Sequence, residues 1–294
     1  MIKLATPILV LILLTSLSPI AGGNDQQPAE NAVSKDSEWQ KLAPGLELGI
    51  FSAALPSEIG DSKIRVLRID PQRYQLRLLS ASAFENGRAL SARQWSQQHG
   101  LVAAINASMY QEDYKSSVSL MRSRAHINNP RLSKDMTILA FDRKTADVPL
   151  VKMIDRQCED FKVWQKKYST LIQSIRMISC TGENVWTKQP QKWSTAAIGV
   201  DDRDRVLFIH VGSPYSTHDV IDILKTLPLN ISRAMYTEGG PQAQLYINIG
   251  DREHEFVGNY EIEIQGDMKN LISRPVPNVV GISLIAKKKQ KKKN

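Results

Sequence analysis

At 294 residues the chain is long enough for one large domain or two small ones, and 42% hydrophobic with 23% charged residues excludes a disordered or fibrous protein. The net charge of +8 is not spread along it: six lysines lie between residues 287 and 293 and one is Lys3, and without those seven the net charge is +1. A balanced body with a basic end excludes a nucleic-acid-binding domain and leaves membrane contact to the lysine tail alone.

Residues 1–23 hold one positive charge at Lys3, an apolar stretch over 4–14 and small or turn-forming residues over 15–23. That is the pattern of a secretory signal peptide, and the apolar stretch is short for a membrane span. An exported protein, periplasmic or secreted, is expected. Residues 24–45 read as a flexible linker, 46–286 as one folded domain and 287–294 as a basic tail.

The alternation over 64–69 and 74–79 predicts two strands with Asp70-Pro71-Gln72 as the turn between them. Ser91 is placed to cap a short helix through Gln98 that Gly100 ends. Residues 101–105 have the length of a buried strand, 111–129 read as a polar loop, and 136–141 as another strand. The run 171–178 fits helix or strand equally. Strands over 196–200 and 206–211 flank the charged hairpin Asp201-Asp202-Arg203-Asp204-Arg205, and 219–227 has helical spacing stopped by Pro228. Strands over 234–236 and 244–249 flank Gly239-Gly240-Pro241, and 279–285 is a last strand. The pattern implies an α+β fold with a mixed, mostly antiparallel sheet system, a few flanking helices and a single domain.

The two cysteines, Cys158 and Cys180, suggest one disulfide in an exported chain, the alternative being two open thiols. The five histidines are scattered, with no zinc spacing. No cofactor is predicted. Glu238 and nearby aspartates could hold a divalent cation, but no spacing demands one.

Three segments carry candidate chemistry, each where an apolar strand breaks into a polar turn. The first is Thr237-Glu238-Gly239-Gly240-Pro241, a carboxylate on a diglycine bend whose backbone can approach a ligand closely. The second is Gly212-Ser213-Pro214-Tyr215-Ser216-Thr217-His218-Asp219, in which Ser216 and Asp219 resemble a capping box at a helix start, a setting that suits an anion. The third is Asn106-Ala107-Ser108-Met109-Tyr110, with an amide and a phenol suited to sugar hydroxyls. Arg122 and Arg233 are further candidates for a phosphate, because guanidinium matches its geometry. A carboxylate, an anion-holding turn and an amide with a phenol together suit a substrate that is part sugar and part phosphate.

The order and spacing of these segments resemble the phosphodiester glycosidase family, on Asn106-Ala107-Ser108-Met109-Tyr110, Ala197-Ile198-Gly199-Val200-Asp201 and Thr237-Glu238-Gly239-Gly240, over residues 64–285. Two departures are visible. Glu238 stands where the family has aspartate, and Ser194 and Thr195 stand where an arginine is often found. The nearest likeness is to a bacterial exported subgroup. The resemblance implies hydrolysis of a glycosyl phosphodiester in the cell envelope, with Glu238 as principal carboxylate and Asp219 as second. The residue types themselves suggest the phosphate for Ser213, Ser216, Thr217 and His218, with Arg122 or Arg233 as further partners, and the sugar for Asn106 and Tyr110, beside Gly239 and Gly240. The expected partner is a glycosyl phosphodiester or an envelope polysaccharide. The alternative is a non-catalytic protein binding glycan or phosphoglycan on the same scaffold.

Overall fold

The computed structural model describes residues 39–259 and 273–285. The expected signal peptide, most of the linker and the basic tail lie outside the described residues. In chain order the elements are β1 (Gln40–Ala43), β2 (Leu46–Ser52), β3 (Lys63–Ile69), β4 (Tyr74–Ser80), α1 (Ala92–His99), β5 (Ala103–Asn106), β6 (Met121–Arg122), β7 (Ile127–Asn129), β8 (Thr137–Arg143) and β9 (Val151–Asp155). Then come α2 (Phe161–Trp164), β10 (Tyr168–Ser174), β11 (Arg176–Ile178), β12 (Trp193–Asp201), β13 (Val206–Tyr215), α3 (Thr217–Thr226), β14 (Ile231–Gly239), β15 (Gln244–Ile249), β16 (Arg252–Val257) and β17 (Asn278–Leu284).

The strands form three sheets. The largest runs β1-β2-β3-β13-β12-β14-β11, the second β7-β6-β10-β8-β9 and the third β16-β15-β5-β17-β4. Every strand pairing among the described residues is antiparallel, so the expected mixed sheet is corrected. The strand at 40–43 falls within the expected linker span and corrects it for those residues.

All three sheets give side chains to one central cluster. Leu67, Ile198 and Phe208 come from the first, Met121, Leu139 and Ile172 from the second, and Ile105, Leu245 and Val280 from the third. A strand buried on one face and lidded on the other reads as nearly continuous apolar sequence. This is why 171–178 is ambiguous as a string. It proves to be two short strands, β10 and β11, in different sheets.

The outer faces have their own lids. α3 lays Val220, Ile221 and Leu224 on Ala197, Ile209 and Val211 of the first sheet. Ser216 caps it, its hydroxyl accepting from Asp219 N at 3.1 Å. α1 puts Trp95 against the third sheet; Ser91 and Gln94 form its capping box, and Gly100 ends it at φ +61°.

Two local turns do not join hairpin partners. β3 pairs with β2 and β13, whereas β4 pairs with β17, so Asp70-Pro71-Gln72 passes the chain from the first sheet to the third. The diglycine turn makes the same passage from β14 to β15. β12 and β13 are true hairpin partners, closed by Asp201, whose carboxylate accepts from Arg203 N and Arg205 N and pairs with Arg205 Nε at 2.7 Å.

Cys158 and Cys180 are bonded to each other. The bridge ties the segment after β9 to the segment after β11, beside the buried pair of Asp155 with Arg176 at 3.0 Å. Closing a loop of 22 residues removes denatured-state entropy equivalent to about 3 kcal/mol. The Cys158→Ser, Cys180→Ser double variant is expected to lose about that much stability in denaturant titration without losing the fold.

Candidate active site

β14 supplies the acid. Its register against β12 slips near the end of β14: Ala197 faces Tyr236, but Ala196 faces Glu238, leaving Thr237 as the extra residue of a bulge. The slip decides where the carboxylate goes. Residues opposite one another share a face of the sheet. Ala196 belongs to the central cluster and Ala197 to the outer one, so Glu238 lies on the inner face and Tyr236 on the outer. Beside the bulge the Tyr236 carbonyl takes the Ser174 hydroxyl, and Ser108 reaches Ser174 Oγ at 3.3 Å.

The turn after Glu238 is tightly fitted. A Cβ on Gly239 would run into the Tyr236 hydroxyl and lie 2.8 Å from the Trp193 ring. Gly240 takes φ +60°, a conformation that suits glycine. Pro241 follows in a 3-10 turn closed by Ala243 N to Gly240 O at 3.0 Å. Asn106, at the end of β5, clamps the crossing: its Nδ2 donates to Gln242 O and its Oδ1 accepts from Gln244 N, both at 2.8 Å. On the far side Gln244 Oε1 accepts from Ala92 N at 2.9 Å, tying the start of α1 to the same point.

Glu238 is half-buried, and its carboxylate accepts one backbone bond, from Gly239 N at 3.1 Å. Loss of hydration raises its pKa to about 7, and the Gly239 bond offsets only part of that rise. The acid therefore holds and releases a proton near neutrality.

The inner face continues past it as one row. Glu238 faces Ala196, Ala196 faces His210, His210 faces Arg65 and Arg65 faces Ile50, across β14, β12, β13, β3 and β2. His210 is buried, and burial with the neighbouring Arg65 charge depresses its pKa to about 3, so the ring is neutral. Its Nε2 lies 3.3 Å from Ala243 O, on the diglycine turn itself. Arg65 pairs with Asp61, and the Phe256 ring lies over its guanidinium, 5.0 Å away. Neither His210 nor Arg65 stands out by motif. The available signal is that each is polar inside a strand whose apolar neighbours line both faces.

The other candidates lie elsewhere. Ser213 Oγ accepts from Ser62 N at 2.8 Å and Ser216 Oγ caps α3. His218 Nδ1 lies 3.6 Å from Asp219 and 3.4 Å from Asp222. Thr217, His218 and Asp219 thus open a helix that covers the outer face, opposite to the Glu238 row. Arg122 faces Leu171 of the outer cluster of the second sheet, and its Nη2 donates to Gln165 O at 3.0 Å. Arg233 binds Met153 O and Glu159. Tyr110 bridges Ser117 and has its ring 5.6 Å from that of Tyr114. The structure brings Asn106, Glu238, Gly239 and Gly240 together and gives Ser213, Ser216, His218, Arg122 and Arg233 partners of their own elsewhere. Among the described residues, Asp155, Cys158 and Cys180 have metal-like spacing, but both sulfurs are committed to the disulfide.

Two outcomes follow. Asn106→Ala strands the part-buried Gln242 carbonyl and the buried Gln244 amide and is expected to cost about 2–4 kcal/mol in chemical denaturation. The second concerns pH. The folded chain holds the Glu238 proton more tightly than the unfolded chain, whose carboxyl titrates near 4.5. Ionisation therefore costs stability as pH rises from about 4.5 through about 7. Glu238→Gln lacks this cost. Its stability relative to the parent should be least favourable below pH 4.5 and improve by up to about 3 kcal/mol above pH 7, read from unfolding curves at both ends.

A comparison with curated proteins finds no match. Solved structures share the fold, among them two that this chain matches over most of its length. The zebrafish N-acetylglucosamine-1-phosphodiester alpha-N-acetylglucosaminidase catalytic domain, auto-inhibited by its pro-peptide, matches with a TM-score of 0.57 at 13% identity, over 84% of this chain and 86% of that one. A hypothetical protein from Synechocystis matches with a TM-score of 0.55 at 12% identity, over 85% of this chain and 64% of that one. The likeness to both is one of fold. The family model for phosphodiester glycosidase matches residues 99–283, which include both the Asn106 clamp and the Glu238 turn, and the chain belongs to that family.

Proposed function

We propose that the protein hydrolyses a glycosyl phosphodiester, releasing a sugar from a phosphate-bearing partner, in the cell envelope. The observation that carries this reading is Glu238, a half-buried carboxyl poised near pH 7 on a backbone turn with no side chain beyond it at Gly239 and Gly240. Family membership supports the reaction class. The disulfide supports an oxidising compartment, and among the described residues no helix is long and apolar enough to cross a membrane.

The chemistry follows from the leaving group. Phosphate departs readily, so the bond between the anomeric carbon and the phosphate oxygen needs little help from an acid. Water needs more. Ionised Glu238 takes a proton from water as its oxygen bonds to the anomeric carbon. The breaking bond leaves its electron pair on the phosphate oxygen, through an oxocarbenium-like transition state. A carboxylate with a pKa near 7 is a stronger base than an ordinary one and is still about half ionised at neutral pH.

The test is release of free sugar from a panel of glycosyl phosphodiesters, among them UDP-N-acetylglucosamine and a nitrophenyl phosphodiester of the same sugar. Activity is expected to rise with pH through about 7 and then level off, and Glu238→Gln is expected to lower kcat by roughly 10²–10⁴. Undiminished release by that variant overturns the role of Glu238. Measurable glycan binding with no release from any diester favours the binding-protein reading.

A further inference from the structure

Away from Glu238, the second and third sheets leave a pocket of about 310 Å³ between them, at the small end of the range that holds ligands. β4 gives it Tyr74, Gln75 and Leu76, and β8 with the residues after it gives Phe141, Asp142 and Arg143. Pro71, in the turn that leaves the first sheet, stands beside them. Tyr74 faces Leu284 on β17, whereas Asn106 faces Val279 on the same strand. About 17 Å of strand therefore separates this pocket from the clamp at the candidate active site.

The inner walls are apolar and hold one unsatisfied polar group. Leu76, Phe141 and Val151 are buried and line the pocket with Leu150. Tyr74 is 1% exposed and packs in the central cluster, and its hydroxyl has no hydrogen-bond partner among the described residues. Burial raises its pKa, so the hydroxyl keeps its proton. A bound water needs two or more polar partners, which the apolar walls around Tyr74 do not offer. A buried hydroxyl on the wall of a pocket calls instead for a ligand that brings an acceptor and covers apolar surface.

Charge narrows the class. Two cations, Arg124 and Arg143, face one carboxylate, Asp142, so the lining favours a single negative charge. Asp142 accepts from the Thr170 hydroxyl, and Arg143 donates to Ala146 O at 3.2 Å and to Val148 O at 2.7 Å. Arg124, exposed between β6 and β7, has no hydrogen bond or ion pair among the described residues. Its guanidinium is free to take a carboxylate.

We propose that this pocket binds a small amphiphilic carboxylate, whose charged end lies between the Tyr74 hydroxyl and the Arg124 guanidinium and whose hydrocarbon part covers Leu76, Phe141 and Val151. The site shares no residue with the Glu238 row, and the proposed hydrolysis neither requires it nor depends on it.

Calorimetric titration of the full chain with octanoate, octanol and octylamine tests it. Octanoate should bind, octanol should bind roughly tenfold more weakly and octylamine not measurably. Tyr74→Phe keeps the ring and removes a hydroxyl that serves no described protein group. Without ligand this variant should unfold at the temperature of the parent or above it, while its octanoate affinity falls roughly tenfold. Arg124→Gln, at an exposed position, should weaken octanoate roughly tenfold and leave octanol unchanged. The wild-type chain gives a reading that needs no variant: nuclear Overhauser contacts should run from the octanoate methylenes to the Phe141 ring and the Leu76 methyls. Wild-type protein that ignores octanoate, octanol or octylamine binding as well as octanoate, methylene contacts confined to other residues, or unchanged octanoate affinity in Tyr74→Phe and Arg124→Gln each overturn the site.

Discussion

The site depends on one amide. Between Gly239 and Gln244 the chain leaves one sheet and enters another, and the short turn between them closes one bond of its own, from Ala243 N to Gly240 O. Asn106 supplies both a donor and an acceptor to the crossing, from a strand that belongs to the second of those sheets. Other contacts gather at the same bend. Gly258 N donates to Ala243 O at 2.7 Å, and His210 Nε2 meets that same carbonyl. A buried backbone group without a partner is costly enough that this convergence fixes the turn, and the turn fixes the last rung of β14, where the acid stands.

The electrostatics of the row follow from its depth. Glu238 has one backbone donor and no neighbouring cation among the causes of its shift, so dehydration wins and the proton is held. His210, deeper still and next to a guanidinium, is driven the other way and stays uncharged. Arg65 sits nearer the rim and pairs with Asp61. An acid, a neutral ring and a cation are thus graded along one face of one sheet, with Ala196 as the small residue between the first two.

What could be read from the string was local. The caps of α1 at Ser91 and Gly100, the charged hairpin at 201–205 and the start of α3 at Ser216 are each decided within a few residues, and each is where the pattern puts it. Pairing was not local. β3 and β4 look like hairpin arms, yet their partners lie as far away as β13 and β17. The row from Glu238 to Arg65 was invisible for the same reason. It exists only because strands well separated in sequence come into register, and because one extra residue at Thr237 turns the acid inward. The diglycine turn and Asn106 could be singled out because turn chemistry is written in the residues themselves. That Asn106 spends its amide on backbone could not, since Gln242 lies 136 positions further on.

The place of β17 has a consequence for how the molecule comes into being. This strand is formed last in the chain, yet it lies inside its sheet, between β5 and β4. Ala107 N donates to Asn278 O, and Val279 stands opposite Asn106, so the strand bearing the clamp lacks a neighbour until residues near 280 have been made. A chain emerging from the ribosome can build the β12–β13 hairpin early, but it must hold the third sheet open until the residues of β17 have been made. Such long-range closure is slow. The third sheet is complete only once β17 is available, and a chain that stops before residue 278 loses the centre of a sheet rather than an ornament at its edge.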